Sequence, residues 1–232
     1  MRSSEATLRK IEREPLWDLA HDQLRGALLA GRFEPGRVLT LRYLAEMFGT
    51  SITPVRDAVT RLVAQGVLQQ GARNAAVVPR LSSRELRDLT IVRCELEGRA
   101  AREAAAKASD SAIASLEKHL ASMRRLIEAQ DWPRYLDEHR GFHFDLYALA
   151  DIPLLGEMIE NLWLRCGPAL SYVVPHYVLL LKGTDRHAAA LTALRAKDAA
   201  GAEAAIVADI EEAARYLGTL ADPSGHLSPP AA

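Results

Sequence analysis

The stretch LRYLAEMFGTSITPVRDAVTRLVAQG, residues 41–66, constrains this chain more than any other. Apolar residues recur at helical spacing on both sides of Gly49, so the pattern is two helices joined by a tight turn. The first covers about 41–48. Thr50 or Ser51 caps the second, ITPVRDAVTRLVAQ, which ends at Gly66. Upstream, residues 15–31 carry an apolar stripe at Leu16, Leu19, Ala20, Leu24, Ala27 and Leu28, with Pro15 suited to the first turn and Gly31 to the end. FEPGRVLT is a turn on Pro35-Gly36, and VLQQ and AAVVP read as two short strands around GARN.

Three helices followed by a hairpin predict a winged helix-turn-helix over residues 1–80, whose second motif helix would lie in the major groove of double-stranded DNA. Val55, Val59, Leu62 and Val63 form the buried side of that helix. Thr53, Arg56, Thr60 and Arg61 form its polar side, and the first three of these share one face. Arg73 and Asn74 stand at the hairpin tip. Charge points the same way. Residues 1–80 hold 12 Lys+Arg against 8 Asp+Glu, whereas residues 81–232 hold 17 against 22, so the basic front suits a polyanionic partner.

Residues 81–222 show only helical patterns. Ser82 and Glu85 have capping-box spacing, and Ile113, Leu116, Leu120, Met123 and Ile127 follow at steps of three and four. Further helices are predicted at about 84–107, 132–150, 153–181 and 185–219. Pro168 and Pro175 should kink or break the 153–181 helix, and Gly201 should divide the last. The expected fold class is therefore mainly α, a winged helix-turn-helix followed by an all-α bundle of about six or seven helices. The tail 223–232, PSGHLSPPAA, is expected to be disordered.

No apolar run reaches about 18 residues, so no membrane span is expected. The start, MRSSEATLRKIERE, lacks the apolar core of a secretion signal. The two cysteines, Cys94 and Cys166, read as packing residues of a reduced, cytoplasmic protein.

The segment DEHRGFHFDLY, residues 137–147, places His139 and His143 on one helical face. It is not the zinc-protease signature, because Arg140 stands where a glutamate must follow the first histidine. By itself the pair is either half of a metal site or two packed histidines.

The run from Leu16 to Pro79, with GRFEPGRVLT, LAEMFGTS and TPVRDAVTRLVAQGVL, resembles the DNA-binding domain of the GntR family of bacterial transcription regulators. The resemblance implies that Arg42 and Arg56 contact operator DNA, through phosphates or guanine. Ile52 stands where the family usually has an arginine, and Asn74 where its wing usually has a glycine. Asparagine tolerates the left-handed backbone, so the wing turn is expected to survive.

The later pieces VRCELEGRAA, FHFDLYALADIPLL and DRHAAALTALRAKDAAGAEAA are similar to the FadR subfamily, in the branch with an FCD effector domain. That resemblance implies a homodimer, a bound divalent metal and a small carboxylate effector. In the family an aspartate or asparagine, the Phe-His histidine four residues later and two further histidines hold the ion. Here those positions fall on His139, His143, His187 and Asp209, so a carboxylate and a histidine have exchanged places. Three imidazoles and a carboxylate suit zinc first, with nickel, manganese or iron as alternatives. His139 could instead sit behind the ligands, and Asp209 could form a salt bridge. Arg93 would face the effector, or else pair with Glu97 four residues on. The rival readings are a metal-responsive regulator and a metalloenzyme using the same three histidines and aspartate.

Overall fold

The computed structural model describes residues 16–180 and 184–230. Pro15 and the far end of the expected 153–181 helix lie outside them. The front module comprises α1 (Leu16–Leu29), β1 (Val38–Leu39), α2 (Leu41–Phe48), α3 (Ile52–Ala64), β2 (Gln69–Gln70) and β3 (Ala76–Val77). Thr40 caps α2 by accepting from the Tyr43 amide at 3.1 Å, and Gly49 ends it in the left-handed conformation at φ 63°. That geometry lets α3 turn back so that Leu44, Val55, Leu62, Leu24 and Leu28 close one core, all fully buried. Leu16 and Leu19, at the front of the predicted stripe, remain exposed.

Three details differ from the sequence reading. Ser51 occupies the cap position of α3 but its side chain makes no capping hydrogen bond. The FEPGRVLT turn also supplies β1, which pairs antiparallel with β3 and gives the sheet order β1-β3-β2. At the wing tip the left-handed residue is Arg73 (φ 53°), one position before Asn74, inside a short 3-10 turn over Ala72–Asn74.

The back module follows as α4 (Ser83–Lys107), α5 (Asp110–Glu128), α6 (Trp132–Ala148), α7 (Pro153–Leu170), α8 (His176–Leu180), α9 (Asp185–Arg195) and α10 (Ala199–Gly218). Ser82 opens α4 with the expected capping box: its hydroxyl accepts from the Glu85 amide, and the Glu85 carboxylate accepts from the Ser82 amide at 2.8 Å. Those hydrogen bonds hold the Glu85 carboxyl below its ordinary value. Ala100, Ala101, Ala104 and Ala105 of α4 are fully buried. Small residues also let α10 approach, since a Cβ on Gly98 would lie 2.9 Å from Val207. The division between α9 and α10 falls at Lys197 (φ 55°), not at Gly201. Asp198 caps α10 by accepting from the Gly201 amide at 2.9 Å, so Gly201 belongs to the first turn. Pro168 sits in the last turn of α7, where the helix ends, and Pro175 precedes α8.

Within the described residues the tail, expected to be disordered, is held to the linker; residues 231–232 lie outside them. Asp222 pairs with Arg80, the Leu227 amide donates to the Leu81 carbonyl at 2.8 Å, and the Ser83 amide donates to the Gly225 carbonyl at 2.8 Å. Leu227 is fully buried. An apolar side chain sealed over the linker, with its backbone paired, outweighs the disorder-prone composition of the tail.

The two modules touch directly. Arg25 of α1 pairs with Glu160 of α7, and Arg32 pairs with Asp137 of α6. At the crossing of α1 and α7, a Cβ on Gly167 would lie 2.6 Å from the Leu28 carbonyl oxygen. Both sides of that contact are backbone and cannot yield. Gly167→Ala should therefore destabilise the chain by about 1–3 kcal/mol in urea unfolding. Ser82→Ala, which removes one half of a cap, should cost about 1 kcal/mol by the same measurement.

Candidate metal centre and nucleic-acid interface

α3 presents Thr53, Arg56, Thr60 and Arg61 to solvent, as its pattern predicted. The arginines are not equivalent. Arg61 lies over the Trp17 ring at 5.6 Å and 3.6 Å from Asp18, so it also ties α3 to α1. Arg42 is exposed near the start of α2 and pairs with Glu46 at 3.1 Å. Arg56 has no ion pair among the described residues, which leaves its fork available to phosphate or guanine. Ile52, in the arginine position of the family, is exposed beside Thr53. Arg73 is exposed at the wing tip.

In the back module α6 brings His139 and His143 inward, the first turn of α9 brings His187, and the middle of α10 brings Asp209. One ligand-type atom from each lies within 4.8 Å of all the others. Arg186 Nε donates to Glu212 at 3.0 Å and ties the α9 start to α10 beside the cluster. His143 Nε2 is 3.1 Å from His187 Nε2 and 3.4 Å from Asp209 Oδ2. Around a tetrahedral ion with bonds of about 2.0–2.1 Å, neighbouring donor atoms stand roughly 3.3 Å apart, so these spacings match the edges of such a site.

Proton placement agrees. Tyr147 donates its single hydroxyl proton to Glu97 at 2.6 Å, and its oxygen is 2.8 Å from His143 Nδ1. His143 must then donate from Nδ1, which in the neutral ring leaves Nε2 as a lone pair aimed at the Asp209 carboxylate. Burial, followed by the neighbouring His143 and His187, pushes His139 well below the ordinary histidine value, so its ring stays neutral. Its Nδ1 is buried with no hydrogen-bond partner among the described residues. Burial alone would raise the Asp209 carboxyl, but the neighbouring His187 and His143 outweigh it and hold the group below its ordinary value. A bare lone pair, an unpartnered buried nitrogen and an ionised carboxylate converging on one point are a donor set that fits a divalent cation.

Beneath the cluster lies a network of which the sequence offered only the Arg93–Glu97 pair. Glu97 is fully buried and accepts from Arg93 Nε at 2.6 Å, the Tyr147 hydroxyl, and Trp163 Nε1 at 3.0 Å. Arg93 thus makes the ion pair with Glu97 and also lines a small cavity of about 30 Å³ beside His139 and Asp209, with Tyr135, Tyr177 and Leu170. The only sequence signal for this network is spacing. Glu97 follows Arg93 by four residues, and Tyr147 follows His143 by four. Outside it, His119 of α5 sits between Glu138 (2.6 Å) and Asp145 (3.1 Å) and braces α6.

Comparison with known proteins decides the family. Residues 18–78 match "Bacterial regulatory proteins, gntR family" and residues 88–212 match the FCD domain. The chain is a GntR-family transcription regulator with an FCD domain. This GntR regulator is 34% identical over 182 residues to the HTH-type transcriptional regulator McbR of Escherichia coli K12, covering 78% of this chain and 82% of McbR. It is 27% identical over 182 residues to the HTH-type transcriptional repressor RspR of the same organism, covering 77% and 78% respectively. The solved structure of E. coli McbR/YncC superposes with a TM-score of 0.81 at 31% identity, over 86% of this chain and 95% of that one. A GntR regulator from Rhodococcus sp. RHA1 shares the fold at a TM-score of 0.70 and 18% identity, over 86% and 96%. The relatives are named as transcriptional regulators, not enzymes. No described helix is long and apolar enough to cross a membrane.

Arg56, without an ion pair among the described residues, gives a direct test. Arg56→Ala should lower affinity for DNA from upstream of its own gene by roughly 10- to 100-fold at fixed salt. An unchanged affinity in a fluorescence titration would remove Arg56 from the interface.

Proposed function

We propose that this regulator is a ligand-responsive repressor of the FadR branch. It binds double-stranded operator DNA in the cytoplasm as a homodimer, through Arg42, Thr53, Arg56, Thr60, Arg61 and the wing residues Arg73 and Asn74. His139, His143, His187 and Asp209 would hold a divalent metal ion, with zinc first and nickel, manganese or iron as alternatives. The observation that carries this reading is the convergence of those four side chains inside the effector domain. A cation held there by four side chains would take the carboxylate of a small organic acid by expanding beyond four-coordination. Arg93, on the wall of the adjoining cavity, adds a positive charge on the approach.

The response reaches DNA through contacts already described. α6 carries His139 and His143 and also Asp137, the partner of Arg32. α7 carries Glu160, the partner of Arg25, and the Gly167 crossing. A displacement of α6 or α7 on ligand arrival therefore shifts α1 and the reading head, a coupling between distinct sites. Repression fits the name of RspR, one of the relatives.

The smallness of the cavity favours a second reading, in which the ion itself is the signal. The two separate cleanly. Under the first, metal alone leaves operator binding unchanged and a small carboxylate releases it. Under the second, release follows metal concentration with no organic ligand. Both readings expect one divalent ion per chain by metal analysis of the purified protein, and roughly 100-fold weaker zinc binding in Asp209→Ala and in His139→Ala. Unchanged metal content in both variants would sink the assignment.

A further inference from the structure

We infer that Glu97 and Tyr147 form a positioning relay that fixes the ring orientation and tautomer of His143, so that Nε2 and not Nδ1 is presented to the ligand cluster. The inference deepens the metal-centre reading and rests on it. It concerns side chains that touch neither the cluster's centre nor DNA.

The direction of every hydrogen bond in the relay follows from donor inventory. Glu97 of α4 faces Arg93 Nε and Nη2, at 2.6 and 3.3 Å, and Trp163 Nε1, at 3.0 Å, and these groups can only donate. The carboxylate is therefore the acceptor at the end of the chain, and the 2.6 Å contact with Tyr147 is a donation from the phenol. The phenol has one proton. Having given it to Glu97, Tyr147 can only accept from His143, so Nδ1 carries the hydrogen.

The members come from three helices, and all but Arg93, which is partly exposed on the cavity wall, are buried. Glu97 is 0% exposed, Trp163 0% and Tyr147 5%. Trp163 also lies against the His143 ring, with centroids 5.3 Å apart, and hinders its rotation. Arg93 closes the relay at its far end with its guanidinium 5.2 Å above Trp163. A buried carboxylate with four matching donors is worth its desolvation only if the donors are held in place, and holding them fixes the imidazole at the other end. A histidine that binds a metal commonly gives its other N–H to such a partner, which sets its basicity and aim.

The test uses the whole chain and two readouts. In the metal-free protein, the His143 ring nitrogens, followed by 15N NMR, should show a protonated Nδ1 and a bare Nε2. In Tyr147→Phe, which keeps the ring and removes only the hydroxyl, the two tautomers should mix. Cobalt(II) affinity, read from its visible absorption against a competing chelator, should fall about 10- to 100-fold in Tyr147→Phe. The thermal midpoint of the metal-free variant should fall, because Glu97 loses one of its four donors, while its DNA affinity should stay close to native. A native chain that binds no cobalt would overturn the metal centre and this inference with it. A native chain that binds cobalt, with Tyr147→Phe binding it equally well, would overturn the relay alone. If Tyr147→Phe is insoluble, the native spectrum decides: an Nε2-protonated His143 refutes the relay and an Nδ1-protonated one supports it.

Discussion

The buried carboxylate of Glu97 is the interaction on which the effector domain depends. An ionised group sealed from water costs several kcal/mol unless it is fully paired. Here the pairing draws in α4 through Arg93, α6 through Tyr147 and α7 through Trp163. Three helices that apolar packing alone would let slide by fractions of a turn are held in one register. His139 and His143 then face α9 and α10 at a fixed depth, which is why His187 and Asp209, more than forty residues away in sequence, arrive at the same point.

The same register reaches the front module. α6 and α7 direct their inward faces at Glu97 and the histidine cluster, and present Asp137 and Glu160 outward to Arg32 and Arg25. The contact at Gly167 leaves no slack, because its two sides are backbone. The tail adds a further tie: α10, which carries Asp209, runs on into a segment that pairs with Arg80, Leu81 and Ser83 in the linker. A rigid reading head joined to the helices of the histidine cluster by short, inflexible contacts is suited to two discrete placements rather than to gradual drift.

Much of this was legible from the chain, for local reasons. Helix period, the Gly49 stop, the Ser82–Glu85 box and the exposed face of α3 depend on neighbours within a few residues, and all appear where the pattern puts them. Other features were not legible. Gly201 looked like a break, but Asp198 three residues earlier caps the helix and turns the glycine into part of it. The tail has a disordered composition, yet one leucine finds a pocket over the linker and orders it. Arg73 rather than Asn74 takes the left-handed turn, because the pairing of Gln70 with Ala76 across the hairpin fixes where the chain must reverse.

The sequence by itself determined the two-module plan, the reading helix and its polar face, and, by resemblance, the four residues His139, His143, His187 and Asp209 as a set. The plan and the reading helix follow from periodicity and caps, which are properties of adjacent residues, whereas the four-residue set is what the family resemblance implies. Only the tertiary structure decided that Arg93 is bound to Glu97 while lining the cavity, that Arg61 is engaged by Trp17 and Asp18, and that His143 is held through Tyr147. Those are matters of which donor meets which acceptor across distant helices. A hydrogen bond acts over about 3 Å and in one direction, so the chain must be folded before its partners are defined.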